Sequence, residues 1–117
     1  MLARENRLIS ADDFRSTMRT GRKIASNHLV TYLKKDAPQG PIRFGFVVAK
    51  SVGGAVSRNL VKRRLRAVAR ELLAEINPTD NISIVVRALE GAADANFETL
   101  KTEFQSSVQA GVRKLAG

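Results

Sequence analysis

The chain has no cysteine and no tryptophan, one histidine, one tyrosine and three prolines in 117 residues. Lack of cysteine excludes disulfides, thiolate nucleophiles and thiolate metal ligands, and fits a reducing compartment. The lone histidine, His28, has no second histidine, cysteine or paired carboxylate at ligand spacing, so a surface or strand-edge position is expected rather than a metal site or a catalytic base. No run approaches the roughly eighteen apolar residues of a membrane span, and the start, MLARENRLIS, lacks the apolar core of a signal peptide. These absences describe a soluble, cytoplasmic protein. Acidic residues are the scarcer charge, eleven Asp and Glu against twenty Lys and Arg, for a net charge of +9. With a hydrophobic fraction of 44%, this is not a disordered basic tail. It reads as a folded chain with a polyanionic partner, nucleic acid first and an acidic membrane surface second.

The length fits one domain over residues 1–117. In SADDFRSTMRTG, Ser10 can cap a helix over 11–20, with Asp13 placed as in a capping box and Gly21 closing the end. Phe14 and Met18, four apart, share one face; on residue type alone such a pair reads as core. Residues 24–33 turn extended, and the cluster DAPQGP at 36–41 leads into IRFGFVVAK, so the two runs read as a hairpin. In the second run Ile42, Phe44, Phe46 and Val48 alternate toward a core, leaving Arg43, Gly45, Val47 and Ala49 on a face that can lie open. Gly53-Gly54 lacks the Lys-Ser/Thr of a phosphate-binding loop and reads as a flexible turn. A helix is expected from about Ser57 to Ile76, stopped at Asn77-Pro78, then a buried strand in NISIVVRAL. Phe97, Leu100, Phe104, Val108, Val112 and Leu115 mark a closing amphipathic helix. The order α-β-β-α-β-α implies a small α/β (α+β) sandwich of two layers, three helices on a short sheet.

The stretch SRNLVKRRLRAVARE, residues 57–71, holds six cationic side chains and no acid before Glu71. At 100° per residue Val61, Leu65, Val68, Leu72 and Ile76 fall within an arc of about 80°, while Asn59, Arg63, Arg66 and Arg70 fall within a separate arc of about 60°, with Lys62 between the two. Like charges three and four apart repel by roughly 0.2–0.5 kcal/mol per pair, and a solvated helix offsets this with interspersed Glu. Clustered cations without counterions are what a phosphate backbone rewards. Asn59 reads equally well as a cap or first-turn residue and as a contact to a base edge, sugar or phosphate. Asp12, Asp13 and Asp36 form no evident metal cluster.

The segment AKSVGGAVSRNLVKRRLRAVARE resembles the signature of the bacterial ribonuclease P protein subunit, a Lys-x-(hydrophobic)-Gly-x-Ala-Val stretch leading into an Arg-Asn-x-x-Lys-Arg-x-x-Arg helix. ENRLISADDFRSTMRTG, LVTYL, IRFGFVVAK and NISIVVRALEGAADANFETLKTEF are similar to the family's other elements in the expected order. The resemblance implies a mixed sheet with a left-handed βαβ crossover, of the ribosomal protein S5 domain 2-like kind. It also implies a subunit of the endoribonuclease that removes the 5′ leader of precursor tRNA. In that ribonucleoprotein the catalytic RNA holds the Mg²⁺ ions and cleaves the phosphodiester, so the protein supplies no catalytic residue and is inactive alone. The expected partners are the ribonuclease P RNA and precursor tRNA. Carried over by motif, Arg58, Asn59, Lys62, Arg63, Arg66 and Arg70 would bind the RNA subunit, and Phe14, Met18, Tyr32 and Lys50 would form the leader cleft. Base stacking on an aromatic there is worth about 1–3 kcal/mol. Leu60 and Ser51 depart from the motif where basic residues are common, which removes two phosphate contacts; Arg64 stands as a substitute for one.

Two other readings suit the same charge pattern. One is a non-enzymatic RNA-binding module, a ribosomal protein or RNA chaperone. The other is a DNA-binding protein using residues 57–71 as a recognition helix, but the strand pattern at 42–50 occupies the place of the upstream helix that a helix-turn-helix needs.

Overall fold

The structure is a computed structural model that describes residues 2–35, 41–75 and 81–116. Ile76, the Asn77-Pro78 stop, Asp36 and most of the turn cluster at 36–41 lie outside the described residues. The helices are α1 (Ala11–Thr20), α2 (Ala55–Leu73) and α3 (Phe97–Ala116), and the strands β1 (Arg22–Ala25), β2 (Leu29–Lys35), β3 (Arg43–Val47) and β4 (Ile82–Ala88). Short 3-10 turns cover Arg4–Asn6, Lys50–Val52 and Ala92–Asp94.

The strands form one sheet in the order β1-β2-β4-β3, with β1–β2 and β2–β4 antiparallel and β3–β4 parallel. Two expectations are corrected here. The extended run after α1 is two strands, because Ser26–His28 fold it into a hairpin in which the Ser26 N–H donates to the Leu29 carbonyl at 2.8 Å. The element order is therefore α-β-β-β-α-β-α. The runs on either side of residues 36–41 do not pair as a hairpin either: β4 enters between β2 and β3, and α2 is the crossover that makes β3 and β4 parallel. Alternation alone could not foresee this, since β4 is hydrophobic on both faces and so suits a central position.

The α+β class, the mixed sheet and the three helices are as the sequence indicates. One sheet face presents Leu29, Leu33, Phe44, Ile82, Ile84, Val86 and Ala88 to α2 (Val61, Leu65, Val68, Leu72) and α3 (Leu100, Phe104, Val108), all buried. Phe104 meets the edges of Phe44 and Phe46 at ring centroid distances of 6.0 and 6.4 Å. At Gly111 a Cβ would lie 2.3 Å from Leu33 Cδ1, so glycine lets α3 settle directly on β2.

α1 packs on the opposite face, where Leu8, Val30, Tyr32 and Val85 form a second, smaller cluster with Phe14 and Met18 against it. Its start is capped as expected: the Ser10 hydroxyl accepts the Asp12 N–H at 3.2 Å, with Asp12 and Asp13 in the positive first turn. Gly21 ends the helix in an extended conformation, and a Cβ there would lie 2.5 Å from the Thr17 carbonyl oxygen and 2.8 Å from that of Leu33. Lys34 donates to the Ser16 hydroxyl and Arg43 pairs with Asp13 at 3.4 Å, tying α1 across β2 and β3.

Candidate nucleic-acid interface

α2 begins two residues earlier than the apolar pattern indicated, because Gly53 at φ 154° turns the chain and Gly54 takes the cap position. L side chains rarely adopt that φ, and a Cβ on Gly53 would also press on Ser57 at 3.0 Å. Asn59 is therefore inside the helix and exposed, which removes the capping interpretation and leaves its amide facing solvent. Arg63, Arg66 and Arg70 are exposed with it, and Lys62 is half-buried. Val61, Leu65, Val68 and Leu72 are buried beneath them, so the apolar stripe holds the helix down and turns the cationic arc outward. The first acid, Glu71, is engaged by Lys101 at 3.2 Å across to α3, which raises the Lys101 ammonium above its ordinary value. Among the described residues, no carboxylate pairs with the arginines of α2.

Arg58 is half-buried, and its Nε is buried with no hydrogen-bond partner. Burying a guanidinium nitrogen without an acceptor is costly, so this one marks a local departure from the usual pairing of buried polar groups. Arg64 does not extend this surface. It turns to the other side of α2 and donates to the Ala95 carbonyl at 2.7 Å, which makes it a tie to the loop before α3 and not a substitute for the missing basic residues.

The leader-cleft set divides. Phe14 lies over β3 because Gly45 has no side chain: a Cβ there would be 2.5 Å from Phe14 Cε1 and Cζ. The small-residue face of β3 is thus a seat for an aromatic ring and not an open floor. Phe14, Arg7, Leu8, Gly45 and Phe46 join Lys62 and Arg66 around a pocket of about 140 Å³. Phe14 therefore meets two members of the α2 set, although the two groups lie far apart in sequence. Met18 is half-buried beside it. Tyr32 is only 7% exposed beneath α1 and offers no free stacking surface in this state. Lys50 stands apart, exposed in the 3-10 turn after β3.

Two residues passed over in the sequence reading belong to this region. Arg87 of β4 lies on the α1 side of the sheet between Val30 and Val47, with a buried Nε that has no partner. An arginine inside an otherwise apolar strand was the available signal. Arg7 joins the pocket because its segment pairs with Phe44 at the β3 edge, where the Leu8 N–H donates to the Phe44 carbonyl at 2.9 Å.

His28 lies half-buried in the turn between β1 and β2, beside the strand end, and it is not a bland surface residue. Its Nδ1 lies 2.5 Å from Glu103 Oε2, while the His28 N–H and the Ser26 hydroxyl both donate to Oε1 at 2.7 Å. Burial pushes the Glu103 carboxyl up, but these three donors outweigh it and hold the group below the ordinary carboxylate range. This network fastens the hairpin to α3.

Among the described residues no three His, Asp or Glu side chains converge on a possible cation position. Asp12 is paired with Arg15 and Asp13 with Arg43. Among the same residues, no helix is long and apolar enough to cross a membrane.

A cationic helix whose arginines have no carboxylate partner among the described residues, flanking a pocket lined by Phe14, Lys62 and Arg66, has the chemistry of a nucleic-acid-binding protein. Comparison with known proteins narrows this class. The Ribonuclease P family matches residues 2–110. The ribonuclease P protein component of Clavibacter michiganensis is 42% identical over 115 residues, covering 98% of this chain and 100% of its own. That of Pseudarthrobacter chlorophenolicus is 41% identical over 117 residues, covering 100% of this chain and 85% of its own. The solved RNase P protein of Staphylococcus aureus shares the fold, with a TM-score of 0.80 at 24% identity over 90% of this chain and 94% of that one. The chain belongs to the ribonuclease P protein family, whose members work with an RNA subunit as an endoribonuclease in tRNA 5′ processing.

Proposed function

We propose that the two surfaces divide the work of a ribonuclease P protein subunit. Arg58, Asn59, Lys62, Arg63, Arg66 and Arg70 dock α2 on the phosphates of the RNA subunit. The α1 side of the sheet, with Phe14, Met18 and Arg87, takes the single-stranded 5′ leader of precursor tRNA; Tyr32 lies beneath it, and Lys50, exposed beyond β3, would add a backbone contact farther along the strand. Opening of Tyr32 to a base requires α1 to shift. Mg²⁺ is held by the RNA, and the chemistry of cleavage stays there; the protein acts in the cytoplasm as a positioning and charge-neutralising partner.

The observation that carries this reading is the pocket in which Phe14 meets Lys62 and Arg66. An unpaired base on the Phe14 side places its own phosphate beside the two cations, so one nucleotide touches both surfaces. Each phosphate neutralised releases condensed counterion, which lowers the cost of bringing substrate and catalytic RNA together. The test is cleavage of precursor tRNA by cognate catalytic RNA at low Mg²⁺. Wild-type protein is expected to restore cleavage that the RNA alone has lost; no stimulation by a folded, RNA-bound protein would remove the reading and leave a general RNA binder.

A further inference from the structure

A second acid-free region lies away from α2. Residues 14–35 contain Arg15, Arg19, Arg22, Lys23, Lys34 and Lys35 and no Asp or Glu, and no acid follows Glu103. The fold brings these two stretches together. Arg22 and Lys23 open β1, Lys114 sits in the last turn of α3, and the three line a shallow pocket of about 560 Å³ with Gly21. All three side chains belong to exposed residues, and among the described residues none has a carboxylate partner. Lys34 is tied to Ser16 and Arg15 to Asp12, so these two contribute less.

Position gives the patch its meaning. β1 and β3 are the two edges of the sheet, separated by three strand spacings, or about 14 Å. The ten residues of α1 extend about 15 Å. The helix starts beside β3, where Asp13 reaches Arg43, and ends at Gly21 against Leu33, directly before β1. It therefore runs from the Phe14 pocket to the Arg22–Lys23–Lys114 pocket, with Arg19 exposed in its last turn. Folded RNA docked on α2 is at the other edge and would have to wrap the domain to arrive here. A flexible single strand lying along α1 arrives without bending the protein or itself.

We propose that Arg22, Lys23 and Lys114 form a second RNA-backbone site, which takes phosphates of the precursor's leader upstream of the nucleotides held at Phe14. This rests on the leader reading above. The site senses charge and strand continuity and not sequence, because it offers flexible ammonium groups and one guanidinium with no aromatic platform. It lengthens the leader footprint on the protein beyond the α1 cleft.

The test uses the assembled holoenzyme and two precursors, one with a short leader that ends within the cleft and one with a leader that passes it. Affinities are measured over a salt series for wild type, for Arg22→Gln/Lys23→Gln/Lys114→Gln and for the charge-keeping Arg22→Lys. Wild type is expected to bind the long-leader precursor more tightly. The triple variant should lose that gain and lower the salt slope for the long leader by roughly two, as expected for about three single-strand phosphate contacts. Its binding to the short-leader precursor and to the RNA subunit should stay at wild-type levels, and Arg22→Lys should keep the gain. Retention of the gain in the triple variant would overturn the proposal alone and mark a solvated surface. Equal loss for both precursors, or weakened assembly with the RNA subunit, would overturn it by placing the patch against the catalytic RNA. Absence of any leader dependence in wild type would overturn the leader reading itself.

Discussion

α2 and the α1 face both serve RNA in the reading above, yet they are built in opposite ways. On α2 the cations stand on one helix and project from a face set by its own apolar stripe, so the surface is nearly complete once the helix exists. On the α1 face no element suffices alone. Phe14 comes from α1, its seat is Gly45 of β3, the cations on the rim come from α2 and the segment before α1, and Arg87 comes from β4. A surface carried by one helix should respond to loss of charge, whereas one assembled from five segments should respond to changes in packing.

The largest expected effect is on the helix. Arg58→Ala/Arg66→Ala should weaken binding of the RNA subunit about a hundredfold, taking roughly 1.5 kcal/mol or more per charge-assisted contact, and should lower the salt slope by about two. Titration of the RNA subunit at several salt concentrations reads both; an unchanged slope would mean these side chains do not meet phosphate. Circular dichroism should show an intact fold.

The α1 face is tested by packing. Gly45→Ala should force Phe14 off the sheet and destabilise the protein by about 1–3 kcal/mol, read as a lower melting temperature. Phe14→Ala should cost about 1–3 kcal/mol of binding to leader-bearing precursor, with no loss for a leaderless tRNA and none for the RNA subunit. If Phe14→Ala weakened both partners equally, the two surfaces would not be separable.

A further effect belongs to neither surface. Glu103→Gln removes the carboxylate that His28 and Ser26 share, with an expected loss of about 1–3 kcal/mol at neutral pH. The folded Glu103 carboxyl titrates below its unfolded value, so its contribution is fully present above the unfolded pKa, about 4.3, and fades as pH falls through the folded one. Melting temperatures of variant and wild type should therefore converge on acidification. A gap that persisted at low pH would assign the loss to packing.

Parts of this architecture were legible from residues in a row. Ser10, Asp13 and Gly21 bounded α1, and the alternation of β3 and the periodicity of α3 identified the residues that enter the main core. β1 was missed as a separate strand because four residues, two of them exposed cations, carry too little periodicity to stand out from β2. His28 looked isolated because Glu103, its partner, is 75 residues away. Arg64 looked like one more phosphate contact because a helical wheel cannot display the Ala95 carbonyl waiting on its other side.

The sequence by itself determined the excess of basic charge and the one helix that sorts its cations to a single face, because sorting of charge on an amphipathic helix is a local property set by spacing. It also determined the family, through a motif whose residues are nearly contiguous. Only the tertiary structure decided that β4 separates β2 from β3, that Gly45 holds Phe14, that Tyr32 is covered, and that Lys114 joins Arg22 and Lys23. Each of these depends on a non-local contact, and the energy of such a contact is fixed by shape and burial across the sheet, which no stretch of sequence carries alone.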